Sequence, residues 1–340
     1  MNGYQRVMAA LQGKEPDTVP VMLHNFMMAA REAGLTMEQF RNDPRQMARA
    51  FIEAVEKYEF DGIIIDVDTV TLAGAVGIPV DFPVDQPAQA AGVRIQSLEE
   101  VNDLAPVDIR GYRGVQVWLE ATFILRRHFG NDILIRGNCD QSPFTLASLI
   151  RGLEPWMLDL ANGDSHELVH KLLEYSTGIT LQFIHLMSET GAHIVSNGDS
   201  VAGPELISPA MFRSFALPYE KKIVERSHSL GIPYFLHICG NTSRIIDEML
   251  ETGSDGLELD YRTDAAMAHA KMKDRAVFIG NIDPSGVLAL GSPQLVEEKT
   301  RELLNTFAHT PRFILNAGCA IPPITPPENL RAMISTARSF

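Results

Sequence analysis

Residues 232–240 read IPYFLHICG, an apolar run with a histidine and a cysteine at its end. The run reads as a buried strand, and side chains two apart on a strand share a face, so His237 and Cys239 point the same way. Cys319, in LNAGCAIPP, lies just past another apolar run, Phe313 to Leu315. One histidine and two cysteines, each at or just past the end of a strand, can converge on one site only if the strands are neighbours in a fold that gathers strand ends.

The rest of the chain supplies such a fold. Seven other short apolar segments read as strands: Val19–Leu23, Gly62–Asp66, Asp132–Gly137, Ala192–Asp199, Asp255–Asp260, Ala276–Asp283 and Arg312–Asn316, with Tyr234–His237 the fifth of eight in chain order. Helical periodicity fills the gaps, over Tyr4–Leu11, Met37–Tyr58, Val115–Phe129, Pro143–Asn162, His166–Thr190, Ser208–Leu230, Thr242–Thr252, Asp264–Met272, Pro293–Ala308 and Pro327–Arg338. Pro209 and Pro218 predict a first turn and then a kink in the helix that Ser208 caps. Eight buried strands alternating with helices predict an α/β protein, a (β/α)8 TIM barrel with a short N-terminal helical extension, as a single domain over residues 1–340. No Gly-x-Gly-x-x-Gly turn follows an early strand, which weakens the doubly wound alternative. The stretch Gly77–Gly92, with three prolines, reads as a long loop of the kind used as a lid or substrate clamp.

Composition narrows the function. The 340 residues carry a formal net charge of −14, which argues against a nucleic-acid or anionic-membrane binder, since both need a basic face. No apolar run approaches the roughly 20 residues of a membrane span, and the first residues lack a signal-peptide core, so the expected location is the cytoplasm. Three cysteines are too few and too scattered for a disulfide framework, and a reducing compartment leaves their thiols free for a metal.

In a (β/α)8 barrel the chemistry sits at the C-terminal ends of the strands. Those ends are polar here: His24, Asn25, Asp66, Asp68, Asn138, Asp140, Asn197, Asp199, His237, Cys239, Glu258, Asp260, Asn281, Asp283, Asn316 and Cys319. His237, Cys239 and Cys319 make a zinc ligand set with one tetrahedral position left over. Two thiolates leave zinc electron-rich and weakly acidic, which suits activation of an incoming thiol better than the splitting of water. Glu258 and Asp260, two apart on the sixth strand, are both candidates for a displaceable fourth ligand. Asp199 reads as a catalytic residue that orients substrate or relays a proton. His24, Asn25, Asp66, Asn197 and Asn281 are candidate substrate-binding residues, while Cys139 has no partner at ligand spacing and stands outside the metal set.

The stretches HICGNTSRIIDEMLETGSDGLELD (237–260), NAGCAIPPITPPENLRAM (316–333), GDSVAGPELISPAMFRSFALPYEKKI (198–223), SPFTLASLIRG (142–152) and FIGNIDP (278–284) together resemble the uroporphyrinogen decarboxylase superfamily. Within it, the chain is similar to the zinc-dependent corrinoid methyltransferases of the methylcobamide:coenzyme M type, from Tyr4 to Arg338. The resemblance implies a barrel holding Zn2+ through His237, Cys239 and Cys319, and a thiol such as coenzyme M taking a methyl group from a methylcobalamin-type corrinoid on a partner protein. It puts the family's acidic residue on Asp260, as both ligand and catalytic group, although aspartate is one methylene shorter than the family's glutamate. Two other reactions stay open: methyl transfer from a methylated small molecule to a corrinoid protein, with zinc polarising the leaving group, and decarboxylation aided by an aspartate such as Asp66. The decarboxylase's arginine-rich substrate motif is missing, because VPVMLHNFMMAAREAG offers only Arg31. A non-catalytic corrinoid- or metal-binding barrel is the remaining alternative.

Overall fold

The computed structural model describes residues 1–340. Its main sheet has eight parallel strands in chain order: β1 (Met22–Leu23), β2 (Gly62–Ile65), β3 (Leu134–Gln141), β4 (Ile194–Gly198), β5 (Tyr234–Ile238), β6 (Gly256–Leu259), β7 (Val277–Ile282) and β8 (Phe313–Ala317). A parallel bridge from Val21 to Leu315, with Leu315 N–H donating to the Pro20 carbonyl at 2.9 Å, joins the last strand to the first and closes the barrel. The expected architecture is therefore the observed one, with strand ends shifted by at most four residues.

Strand alternation divides the apolar residues into two clusters. Outward-facing Ile63, Ile65, Ile135, Val195, Leu236, Leu257 and Leu259 join the large core between sheet and helices. Inward-facing Ile64, Leu134, Ile194, Phe235, Val277, Ile279 and Ile314 fill the lower barrel as a separate cluster, which Val7 and Ala10 of the N-terminal helix Gly3–Leu11 complete. That helix plugs the bottom of the barrel, so the only polar interior lies above this apolar layer, at the strands' C-terminal ends.

Some expected helices are divided. Met37–Tyr58 is two helices, Met37–Asn42 and Pro44–Tyr58, because Pro44 starts a new helix whose first amides are capped by Asp43. Pro143–Asn162 is likewise split at Gly152, where φ is +88°. The helix from Ser208 is a short turn, a wider turn over Phe212–Ala216 and a regular helix Leu217–Ser229, with Pro218 at the start of the regular part. Two short helices, Phe26–Glu32 and Thr71–Ala75, follow β1 and β2 unanticipated. The proline-rich loop folds into a two-stranded antiparallel ribbon, Val80–Asp81 with Gln89–Ala90, and Pro87 from its tip reaches the barrel mouth. No helix is long and apolar enough to cross a membrane.

Candidate metal centre

His237 ends up inside the barrel because β5 places Phe235 on the inner face two residues earlier. Cys239 follows on the same face, just past the strand. The next residue, Gly240, has φ of +79°, a conformation that favours glycine, and turns the chain off the barrel rim. Cys319 reaches the same place from β8 through Gly318. A Cβ on Gly318 would lie 2.3 Å from the backbone nitrogen of Tyr261, so only glycine lets this loop press against the one after β6. As a result the donor atoms of His237, Cys239 and Cys319 all lie within 4.8 Å of one another, with His237 Nε2 3.2 Å from Cys239 Sγ.

The donor set fits zinc. Bonds of ~2.0 Å to nitrogen and ~2.3 Å to sulfur in a tetrahedron separate ligand atoms by roughly 3.5 Å, within a small side-chain adjustment of this arrangement. His237 Nδ1 lies 2.9 Å from the Glu258 carbonyl oxygen. A proton held at Nδ1 and donated to that carbonyl leaves the Nε2 lone pair facing the sulfurs, the usual way a metal-binding imidazole is oriented. Without an ion the three groups hold protons among themselves. A hydrogen bond from Cys319 lowers the Cys239 thiol against the opposing effect of burial, while the same contact and burial push Cys319 up to about 12. Burial works against a charged His237, but its hydrogen bond to Cys319 and the charge of Glu258 override this and raise it to about 9. An ion would displace these protons.

The trio forms one wall of a cavity of about 170 Å³. Its floor is a buried ion pair, Arg136 Nη2 to Glu258 Oε2 at 2.6 Å. Arg136 Nε also donates to Ser196 Oγ at 2.8 Å, and Asn316 Nδ2 donates to Glu258 Oε1 at 3.0 Å. Burial alone would raise the Glu258 carboxyl, but the charges of Arg136, His237 and His24 hold it down at about 2. Beside Glu258, whose Oε1 lies 3.9 Å from His24 Nδ1, His24 Nε2 lies 2.6 Å from Asp66 Oδ2, and this partner raises His24 in spite of burial. Next to this pair is Asp68, whose Oδ1 accepts from Val70 N–H and the Thr71 hydroxyl, each at 3.0 Å.

The remaining residues singled out in the sequence divide between cavity wall and supporting shell. Asn197 lines the cavity, but its amide is committed: Oδ1 accepts from the Tyr234 hydroxyl and Nδ2 donates to the Cys139 carbonyl. Asn25 is buried outside the cavity lining, and Asn281 holds the loop after β6 by donating to the carbonyls of Asp260 and Thr263. Asn281 is thus committed to the loop, whereas the Asn25 amide has no side-chain partner. Asp199 lies behind β4, where Oδ1 accepts from Thr145 N–H at 2.8 Å and its hydroxyl at 2.6 Å while the carboxyl neighbours that of Glu220. It does not line the cavity either, so the expected proton relay has no path to a substrate there. Asp260 Oδ2 accepts from Gly240 N–H at 3.0 Å and Oδ1 from Arg262 N–H at 2.9 Å. It stands outside the group of metal donor atoms, whereas Glu258, the second candidate, lines the cavity with both oxygens engaged. The expected order of these two acids is reversed as to which faces the cavity: Glu258 lies on β6, while Asp260, in the loop that follows, is turned to the amides of Gly240 and Arg262.

Arg136, Gln141, Ser200 and Glu220 were not anticipated. Arg136 had a signal, since an arginine at an inward position of the apolar strand DILIRG needs a buried partner.

The profile of the uroporphyrinogen decarboxylase (URO-D) family matches residues 2–340. A methylcobamide:CoM methyltransferase of Methanosarcina acetivorans is 31% identical over 279 residues, 78% of this chain and 80% of that protein. A uroporphyrinogen decarboxylase of Parasynechococcus marenigrum is 29% identical over 354 residues, 98% of this chain and 96% of that protein. Among solved structures, a methyltransferase from Methanosarcina mazei superposes with a TM-score of 0.90 at 25% identity, over 100% of this chain and 99% of that one.

Proposed function

The chain belongs to the uroporphyrinogen decarboxylase family, and from that footing we propose that it is a zinc-dependent methyltransferase moving a methyl group between a corrinoid carried by a partner protein and a small thiol. The observation that carries this reading is the convergence of His237, Cys239 and Cys319 within 4.8 Å on the wall of a small cavity. The likeness to methylcobamide:CoM methyltransferases supports it.

His237, Cys239 and Cys319 would hold the ion, with the Glu258 carbonyl orienting the imidazole. Zinc bound there supplies positive charge that keeps an acceptor thiol deprotonated near neutral pH. The chain's own residues do the rest. The apolar layer closed by Val7 and Ala10 seals the site from below. Arg136 and Glu258 neutralise each other at the floor, so neither competes for the ion. Asp260, bonded to the amides of Gly240 and Arg262, fixes the loops that carry Cys239 and the end of β6. The reaction transfers the methyl carbon to the thiolate sulfur, and the cobalt of the corrinoid substrate keeps the electron pair of the broken bond.

Decarboxylation is the less suitable reading. A substrate bearing many carboxylates needs several arginines, and Arg136, the one arginine lining the cavity, is already paired.

Metal analysis of the purified protein, combined with methyl transfer from methylcobalamin to a thiol panel, tests the proposal. About one zinc per chain is expected in wild type, and less than a tenth of that in Cys239→Ala and Cys319→Ala. Activity in both variants is expected to drop at least a thousandfold while circular dichroism stays native. Zinc absent from wild type, or retained in full by both variants, refutes the reading.

A further inference from the structure

His237 is fixed by β5, but Cys239 lies one residue past the strand, at the head of a loop, and its place depends on what holds that loop. The next residue, Gly240, is gripped on three sides. Its N–H donates to Asp260 Oδ2 at 3.0 Å and its carbonyl accepts from the Thr263 hydroxyl at 3.3 Å, both from the loop after β6. The third side, where any other residue has a Cβ, is covered by Glu205 from the loop after β4, whose carboxylate carbon would lie 2.9 Å from such a Cβ. Gly203 of the same loop presses on Cys239 itself: a Cβ there would lie 2.9 Å from the Cys239 carbonyl oxygen.

Glu205 is joined in turn to the loop after β6. Arg262 Nη1 lies 3.1 Å from Glu205 Oε1 and 3.2 Å from Oε2, and the Arg262 backbone N–H is held by the same Asp260 that binds Gly240. The ion pair therefore closes a ring of two loops around the chain at Gly240. Asp260 and Thr263 form the inner, buried part of this ring, while Glu205 and Arg262 are 51% and 52% exposed. Water screens so exposed a pair, and it adds little to the stability of the whole chain, so its consequence is local. Cys319 stands outside the ring, because its loop rests through Gly318 on the backbone of Tyr261.

We propose that Glu205 and Arg262 are positioning residues for the metal centre: their ion pair straps the Cys239 loop in place and so limits how readily the Cys239 sulfur leaves the ion. The inference rests on the reading of the trio as a zinc site. Neither side chain is among the donor atoms; each acts through Gly240 on the backbone of Cys239. Cutting the strap frees one sulfur of the trio and not the other, and because the pair is exposed, salt weakens it.

The test times zinc release from the zinc-loaded protein into excess colorimetric chelator, in wild type, Glu205→Gln, Arg262→Gln and the double variant. Each single variant is expected to release zinc at least fivefold faster, and the double variant to stay within about twofold of either, since all three lose the same contact. Raising NaCl from about 0.05 to about 0.5 M is expected to speed release from wild type toward the variants' rate and to leave the variants unmoved. In zinc-free protein, alkylation by iodoacetamide, read by peptide mass, is expected to quicken at least fivefold at Cys239 and to stay within about twofold at Cys319, with the urea midpoint at its wild-type value. Release within twofold of wild type in both single variants, equal acceleration of alkylation at the two cysteines, or a fall in the urea midpoint that accounts for the faster release overturns the proposal. Methyl transfer is followed separately: transfer with unmoved zinc release sinks the strap and spares the methyltransferase reading, while strap-dependent release without transfer to any thiol does the reverse. A wild type without zinc overturns both.

Discussion

Glu258 and Glu220 are both buried glutamates in the upper half of the barrel, and they hold opposite states. At the cavity floor Glu258 is ionised, because Arg136 lies 2.6 Å away and His24 and His237 add to its field. Behind β4, Glu220 faces Asp199 with no cation nearby, and burial followed by the Asp199 charge raises it well above the ordinary range, which favours its protonated form. Burial is the same in both places; the neighbour decides the charge. The cavity floor thus holds a compensated charge pair, while the shell behind it holds two acids with no cation between them.

Cutting the floor pair should have the largest effect. Glu258→Ala leaves Arg136 charged and buried without a carboxylate, a loss that typically costs about 3–5 kcal/mol. Urea unfolding at pH 7 is expected to show a loss of this size. A loss below about 1 kcal/mol would mean that Arg136 finds another partner and that the floor is not a true ion pair.

The dependence of stability on pH separates the two glutamates by sign. Glu258 is held at about 2 in the folded protein, below the unfolded value near ~4.3, so its contribution is complete above the unfolded value and disappears as pH falls toward 2. Glu220 is raised, so the native state binds the extra proton, and stability falls as pH climbs from the unfolded value toward the folded one. For one proton that slope is at most about 1.4 kcal/mol per pH unit. Glu220→Gln mimics the protonated acid and keeps a donor for Asp199. Denaturation from pH 5 to 8 is therefore expected to give a flatter profile in Glu220→Gln than in wild type, and identical slopes would break the assignment.

These two glutamates also show what could be read from the sequence. The metal trio was legible because the chain has only three cysteines, and His237 and Cys239 share a face by strand parity. Glu258 was legible for the same reason, with Leu257 and Leu259 taking the outer face. One residue past a strand parity no longer decides: Cys239 keeps the inner face after β5, whereas Asp199 after β4 and Asp260 after β6 turn their carboxylates to Thr145 and to the amides of Gly240 and Arg262. Glu220 left no trace, since in LPYEKK a buried acid is written like any solvated helical residue. Whether it faces solvent or Asp199 depends on how the helix Leu217–Ser229 rests on the barrel, which is a tertiary fact.

Asp260 is a third case, a carboxylate held by two backbone amides. The sequence expectation made it the fourth metal ligand; the geometry makes it the clasp between the loop after β5 and the end of β6. Asp260→Asn discriminates between these roles with the smallest of the three effects. Asparagine can still accept one of the two amides but turns an NH2 toward the other, so one charge-assisted hydrogen bond is lost, worth about 1.5–3 kcal/mol at most and less if the loop relaxes. As a clasp, Asp260 should leave the zinc content of Asp260→Asn near that of wild type, because His237, Cys239 and Cys319 are unchanged, and the variant should unfold at slightly lower urea. As a necessary ligand, its replacement should strip the metal as fully as Cys239→Ala does. Metal analysis of the two variants side by side therefore decides whether this acid belongs with Glu258 among groups that face the cavity or with Glu220 among those that only support its wall.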